Sequence, residues 1–440
     1  MRSVGSYVSR RRLVAGIALV AVGSATLAAC SSARKDGAAP GGPATSAKAQ
    51  AQNTEAPRTV ASSDEALRAQ ALKAEVSRDE ALRLEALKVA ASRSTQLRLP
   101  PADHTAFIRR ERITGGLSPK SVVASPKGLV TAQNMMYSHT ISVFTTDGRR
   151  KGTVRDSVDL SRFGIGGHAG TSRGAPVEAA FTHDGKHVYV SNYSMYGKGF
   201  GPEGLDACTP ASAPDKSFLY RINTATLKID QVIPVGAVPK YVAVTPDDSK
   251  VLVSNWCSST MSVVNVKAAK LVATIPIGGS HPRGIAVTPD SRTAFVAVMG
   301  NQRIDKVDLI SKKVSFFAYT GNGPRHLVIS PDGRYLYVTN NSSGTVSKVS
   351  AANGRVLITV HTGSQPRSMA ISSDGLAVYV VNYESSTVSK LRTSDLRLIA
   401  KAATDKHPIG IAYEPKRGAV WVACYSGSIL VFDDSRRIRS

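Results

Sequence analysis

An all-β fold, a seven-bladed β-propeller of four-stranded antiparallel blades, is what the sequence predicts, and three observations carry the prediction. The first is a period. Pro239, Pro282, Pro324, Pro366 and Pro408 follow one another at intervals of 43, 42, 42 and 42 residues, and Pro119 and Pro176 extend the series to seven. The second is the content of one period. The stretch from Gly323 to Gly363 carries apolar residues in four short alternating runs: Leu327 and Ile329, Leu336 and Val338, Val346 and Val349, and Val356, Ile358 and Val360. Turn signals at Pro331-Asp332-Gly333, Ser343-Gly344 and Asn353-Gly354 separate them, and period-two runs between such turns read as strands joined by hairpins. The third is physical: one four-stranded sheet cannot cover both of its faces, so the copies must stack, and stacks of this period close into a ring.

The chain begins with a segment that reads as a processing signal and takes no part in the fold. Arg10, Arg11 and Arg12 precede an apolar run, Leu13 to Leu27, that is short for a membrane span, and Leu27-Ala28-Ala29-Cys30 closes it. That ending resembles the bacterial lipobox, which implies cleavage after residue 29 and a diacylglycerol on the Cys30 thiol. An ordinary small-residue cleavage site is the alternative. Ser9 to Val14 resembles a twin-arginine export signal, so the general and the twin-arginine routes both fit. The expected address is a lipid-anchored, extracytoplasmic one.

Residues 30–62 are rich in Ala, Gly, Pro and Ser with almost no large apolar side chain, which predicts a flexible tether. Residues 63–98 hold a second repeat, DEALRAQALKAEVSR followed directly by DEALRLEALKVAASR. Strong helix formers, a capping Ser63 and i,i+4 pairs such as Asp64 with Arg68 predict a helical spacer. Its apolar stripe is thin, which suits a solvated stalk or a contact helix rather than a core.

The propeller is expected over 105–440. The seventh copy ends after its third strand, while Phe107 to Thr114 has the character of a fourth strand; joining the two would close the ring and remove two exposed edges. The wider gaps, 57 residues between Pro119 and Pro176 and 63 between Pro176 and Pro239, mark two insertions, roughly 155–174 and 193–216. Loops of this length are functional or unstructured.

At this point the residues carry a resemblance. Tyr337-Val338-Thr339-Asn340, Tyr189-Val190-Ser191-Asn192, Leu252-Val253-Ser254-Asn255 and Tyr379-Val380-Val381-Asn382, each after a Pro-Asp-Gly-like turn, resemble the YVTN family of β-propeller repeats over roughly 105–434. The resemblance implies a seven-bladed propeller in an exported protein, mostly without a defined activity. Blades four and seven depart from it, with Ala297-Val298 and Ala423-Cys424 at the matching place. The asparagines are expected to bond turn backbone.

Lys+Arg number 56 against 32 Asp+Glu, a formal charge of +24. The helical repeat is balanced and the signal segment, tether and Arg98 together hold +7, so most of the excess, +17, belongs to the propeller. A basic surface suits polyanions, whether nucleic acid, anionic lipid or phosphate-bearing envelope polymer. In a propeller the loop into each first strand and the loop out of each second strand open on one face. The residue after each blade proline therefore belongs near one funnel: Lys120, Val177, Lys240, Arg283, Arg325, Arg367 and Ile409, five of them basic. Convergent cations make an anion site, and Arg adds a planar fork for carboxylate or phosphate. His281, His326 and His407 fall in the same loops, and Tyr193, Tyr196 and Trp256 offer a stacking surface beside the second insertion. No His/Asp/Glu spacing asks for a metal, and no motif asks for a cofactor. Of the cysteines left after processing, Cys208 in the second insertion is placed to reach Cys257 as a disulfide, leaving Cys424 as a buried thiol.

Three functions are compatible with these features: a binding module with a basic funnel for an anionic ligand or partner, an enzyme, or a scaffold for an envelope protein contacted through the 63–98 helix. The second rests on Gly323 to Val338, which resembles a blade of the lactonase-type propellers that hydrolyse 6-phosphogluconolactone. The resemblance implies Arg325 for a substrate phosphate and His326 for proton transfer. Asn340-Asn341 stands where that family has Asn-Glu, and the export signal places such an enzyme outside the cytoplasm, so the sequence leans towards binding.

Overall fold

Seven antiparallel sheets form in the computed structural model, which describes residues 99–203 and 206–438. The readings of the signal segment, Cys30, the tether and the helical repeat lie outside these residues. Blade one comprises strands Ser121–Ala124, Leu129–Asn134, Thr140–Thr145 and Arg150–Arg155. Blades three to six repeat the pattern from first strands Pro239–Val244, Pro282–Val287, Pro324–Ile329 and Pro366–Ile371 to outer strands Lys270–Pro276, Val314–Tyr319, Val356–His361 and Leu398–Ala403. Within each blade the strands pair in sequence order, as hairpin turns of a few residues dictate.

Blade seven is built from both ends of the described chain. Pro408–Glu414, Ala419–Cys424 and Ser428–Asp433 supply three strands, and Ile108–Ile113 supplies the outer one, with Ile108 opposite Asp433 and Ile113 opposite Ile429. Blade two departs from the four-stranded expectation. Its first two strands lengthen to Thr171–Phe181 and His187–Tyr196, and a fifth, two-residue strand, Val158–Asp159, pairs with Thr171 and Ser172. The insertion before the blade folds back on the extra length of its first strand, so part of it forms sheet, with the 3-10 turn Leu160–Phe163 between the two paired segments.

The core lies between blades. Alternate residues of each second and third strand enter clusters shared with the next blade, such as Leu252, Met261 and Val263 of blade three with Ile285, Val296 and Val307 of blade four. Burial of this kind stabilises at about 25 cal/mol per Å² of apolar surface and is what joins one copy to the next.

Asparagines at the ends of the second strands tie second to third strand at the channel-mouth face of blades three, five and six. Asn255, Asn340 and Asn382 donate Nδ2 to the Thr and Ser of the third strand: Thr260 and Ser262 at 3.0 and 2.9 Å, Thr345 and Ser347 at 3.1 and 3.0 Å, and Thr387 and Ser389 at 3.1 and 3.0 Å. Turn backbone is thus only part of their role. Gly236 N–H reaches Asn255 Oδ1 at 3.1 Å, whereas the hydroxyl partners come from a Thr-x-Ser pattern on the neighbouring strand. Blade two lacks that pattern, and Asn192 Nδ2 turns to the carbonyl of Phe218 instead.

The turn into each regular first strand uses a left-handed residue just before the proline: Val238, His281, Gly323, Gln365 and His407 all have φ between 51° and 67°. Glycine takes this conformation without cost and a β-branched residue does not. Two of the three histidines singled out in the sequence therefore occupy turn positions.

Candidate anion site in the central channel

A bulge immediately after the blade proline shapes the channel wall. In blade three Pro239 pairs with Asn255 and Tyr241 with Ser254, leaving Lys240 as the extra residue; blades four, five and six have the same irregularity at Pro282, Pro324 and Pro366. Such a bulge re-aims side chains. The cations expected near one funnel are withdrawn from solvent: Lys120, Lys240 and Arg283 are 5%, 4% and 5% exposed. Arg325 and Arg367 are half-buried.

These five cations act on one another. Burial, then Arg283 and Arg325, hold the Lys120 ammonium well below its ordinary pKa. Burial, then Arg283 and Arg367, depress Arg325. One carboxylate stands in the group. Glu178, one residue beyond the matching place in blade two, lies 3.5 Å from Arg283. Burial raises its pKa against the opposing pull of Lys120, Arg283 and Arg325. Lys240 is engaged from above by the second insertion, through Asp206 at 2.7 Å. Burial, partly offset by Asp206, brings Lys240 down to about 7. For Asp206, burial is outweighed by Lys240, and the carboxyl is held at about 2.

The remaining cations are less well matched. Among the described residues Lys120 Nζ has no hydrogen-bond partner, nor do Arg325 Nε and Arg367 Nε. Each stands on blade one, five or six, the side of the ring away from the second insertion.

Four aromatic residues lie beside the cations, each one residue after the position of the second-strand asparagine. Lys240 Nζ lies 4.3 Å from the centre of the Tyr193 ring and 5.3 Å from Trp256. Arg367 stacks at 3.4 Å on Tyr383, and Lys120 lies 5.6 Å from Tyr425. Cation–π attraction of this kind stabilises desolvated cations without neutralising them. Tyr193 and Trp256 were apparent from the sequence beside the insertion. Tyr383 and Tyr425 repeat at the same blade position but stand in blades of regular length, where no insertion drew attention to them. Tyr196 packs edge-on against His139 at 5.2 Å.

The second insertion is fastened over blades three and four. Cys208 forms a disulfide with Cys257. Tyr193 Oη donates to Asp206 Oδ1 at 2.8 Å, and Trp256 Nε1 donates to the Asp206 carbonyl at 2.8 Å. His281 Nε2 bonds the Cys208 carbonyl at 2.8 Å while its ring lies against Trp256. His407 stacks on Tyr383 with its ring centre 4.5 Å away. Both histidines thus support the mouth. Cys424 is a buried thiol, pushed up to about 12 by burial.

His326 lies deeper. Its Nδ1 accepts from Met369 N–H at 3.3 Å, so Nε2 carries the proton and donates to Tyr241 Oη at 3.0 Å. Burial, then Arg283 and Arg325, lower its pKa to about 3. The ring is neutral with both nitrogens committed, and it joins blades three, five and six across the channel wall. Gly284 of blade four makes room: a Cβ there would lie 2.8 Å from His326 Cα.

Comparison with known proteins agrees with this architecture. A family model described as a YNCE-like beta-propeller matches residues 215–375. The chain is a propeller protein. A model described as the Cytochrome D1 heme domain matches residues 324–433, the last three blades. Among solved structures the chain is similar to Kuenenia stuttgartiensis Hydrazine Synthase, with a TM-score of 0.57 at 18% identity over 74% of this chain and 99% of that one. Identity at that level shows the fold alone. No curated protein matches the chain.

The match to a haem domain sets a test of fit. Haem iron needs an axial donor such as an imidazole, thiolate, thioether or phenolate. His326 has no free nitrogen, and burial pushes the Tyr425 phenol up to about 12. Among the described residues no three His, Cys, Asp or Glu gather as a metal site. Neither His326 nor Tyr425 therefore fits as an axial ligand to a haem iron.

Proposed function

We propose that the protein is a membrane-anchored, extracytoplasmic binding module whose channel takes a small anionic group, a carboxylate or phosphate, on Lys120, Arg325 and Arg367. The observation that carries this reading is the Lys120 ammonium, 5% exposed and without a partner in a wall where five cations face one buried carboxylate, Glu178. Burying a charge unpaired costs several kcal/mol, and an anion delivered to it removes that cost. The depth of Lys120 and Arg283 favours a small anion, or the anionic end of a larger ligand, over a polymer laid along a rim. The signal-like residues 1–30 and the Cys208–Cys257 disulfide, a bond that persists outside reducing compartments, support the address.

Titration calorimetry with inorganic phosphate and with citrate tests the reading. Wild-type protein is expected to bind at least one of them and Lys120→Met neither. Equal binding by the two proteins, or none by wild type to either probe, would sink it. The lactonase-like alternative gains nothing from His326, whose ring has no nitrogen left to move a proton.

A further inference from the structure

The outer edges of blades three and four differ from the rest of the rim. On the outer strand Val314–Tyr319 and the turn before it, Ile310, Phe316 and Tyr319 are 70%, 51% and 66% exposed, with the two rings 4.8 Å apart. On the neighbouring outer strand Lys270–Pro276, Val272 is 53% exposed. Each strand ends its sheet, so its outer side has no strand partner. Residues 266–276 and 309–319 contain four charged side chains, the exposed Lys267, Lys270, Lys312 and Lys313, and no Asp or Glu. On blade six Asp395 pairs with Arg392 and on blade seven Arg110 pairs with Asp433, while the blade-five rim, 351–361, also lacks Asp and Glu but exposes no large apolar side chain beyond Val356 at 38%.

Bulky apolar and aromatic side chains flanked by four lysines match a lipid interface, where the rings sit among headgroups and the ammonium groups meet anionic phosphates; the one carboxylate at these turns, Asp308, is taken up by the Ile310 and Ser311 N–H groups. A second copy is the other candidate occupant. A two-fold interface through this edge would set four lysines against four, so an anionic bilayer is the better charge complement. We infer that the outer edges of blades three and four form a docking face for an anionic lipid surface. The two lysine turns join third to fourth strands and so lie at the end of each blade opposite the channel mouth. A protein resting on them keeps the mouth open to solvent.

The test places a fluorophore on the edge of the intact chain. Phe316→Trp and, as the control on blade six, Leu398→Trp are each mixed with vesicles carrying brominated acyl chains. Phe316→Trp is expected to be quenched by phosphatidylcholine vesicles containing phosphatidylglycerol and spared by phosphatidylcholine alone, and Leu398→Trp spared by both. Lys312→Gln with Lys313→Gln in the Phe316→Trp background should weaken vesicle binding about thirtyfold, at about 1 kcal/mol per lysine. Equal quenching of the two positions, quenching indifferent to phosphatidylglycerol, or no quenching at residue 316 overturns the inference. So does lipid-free, concentration-dependent burial of the residue 316 indole, which would assign the edge to a second copy. Each outcome is independent of whether the channel binds an anion.

Discussion

Lys390 and Asp434 form an ion pair in which neither side chain is exposed to solvent. Lys390 Nζ also donates to the carbonyl and hydroxyl of Thr105 at 2.8 and 2.7 Å, and Tyr379 donates to the same carboxylate. One ammonium thus gathers blade six, the segment before the closing strand and the segment after the last strand. Burial raises Asp434 to about 6 despite the opposing pull of Lys390, a measure of how dry the site is. Removing one partner of such a pair costs about 3–5 kcal/mol, because the other charge is left buried. Lys390→Met should therefore lower the denaturation midpoint sharply, and Lys390→Met with Asp434→Asn should recover much of the loss. Chemical denaturation of the three proteins measures both.

Lys120 should behave in the opposite sense. Its ammonium is buried without a partner, so Lys120→Met is expected to raise stability by about 1–2 kcal/mol while abolishing anion binding. A thermal melt beside a binding titration would show gain in one and loss in the other. A destabilised variant would mean that the ammonium is satisfied in solution.

Anion binding should weaken as pH rises. A bound anion favours the charged form of the lysines and so raises their pKa values. Lys120 is held well below its ordinary value. Where the free protein leaves it partly neutral, binding takes protons up. Calorimetry in buffers of different ionisation enthalpy reads that uptake directly. It should vanish at a pH acid enough for the free ammonium to be fully charged.

The second insertion owes its position to a bond between residues 49 apart in sequence. Closing a loop of that length in the unfolded chain corresponds to about 4 kcal/mol in the chain-entropy account. Cys208→Ser with Cys257→Ser should lower the melting temperature. It should also loosen Asp206 from Lys240, which hydrogen exchange at the Asp206 and Trp256 amides would report. Asp206→Asn should leave the disulfide intact and make Lys240 available to added anion.

The sequence made the blades plain because hairpin turns and period-two runs are local, and because one blade proline follows another at nearly constant spacing. It marked the cations equally well, since each follows its proline. What it could not convey was depth. Whether Lys240 lies on a rim or in a wall depends on a bulge whose register involves Asn255 and Ser254 on the next strand. Glu178, Tyr241 and Asp206 were missed for a related reason: each acts on a residue from another blade or loop, brought near only when the ring closes. Tyr383 and Tyr425 were within reach of the blade period, had the position after each second strand been aligned as the position after each proline was.

The outer strand Ile108–Ile113 precedes every other strand of the ring, yet its partner Ser428–Asp433 is the last to be made. During synthesis the earlier strand must wait, unpaired, while six blades form behind it. The ring therefore shuts only after the last of its strands has emerged, and a chain truncated before residue 428 keeps two open edges, each able to recruit a strand from another molecule. Closure by this route makes the seventh blade a check on completeness as well as a part of the wall.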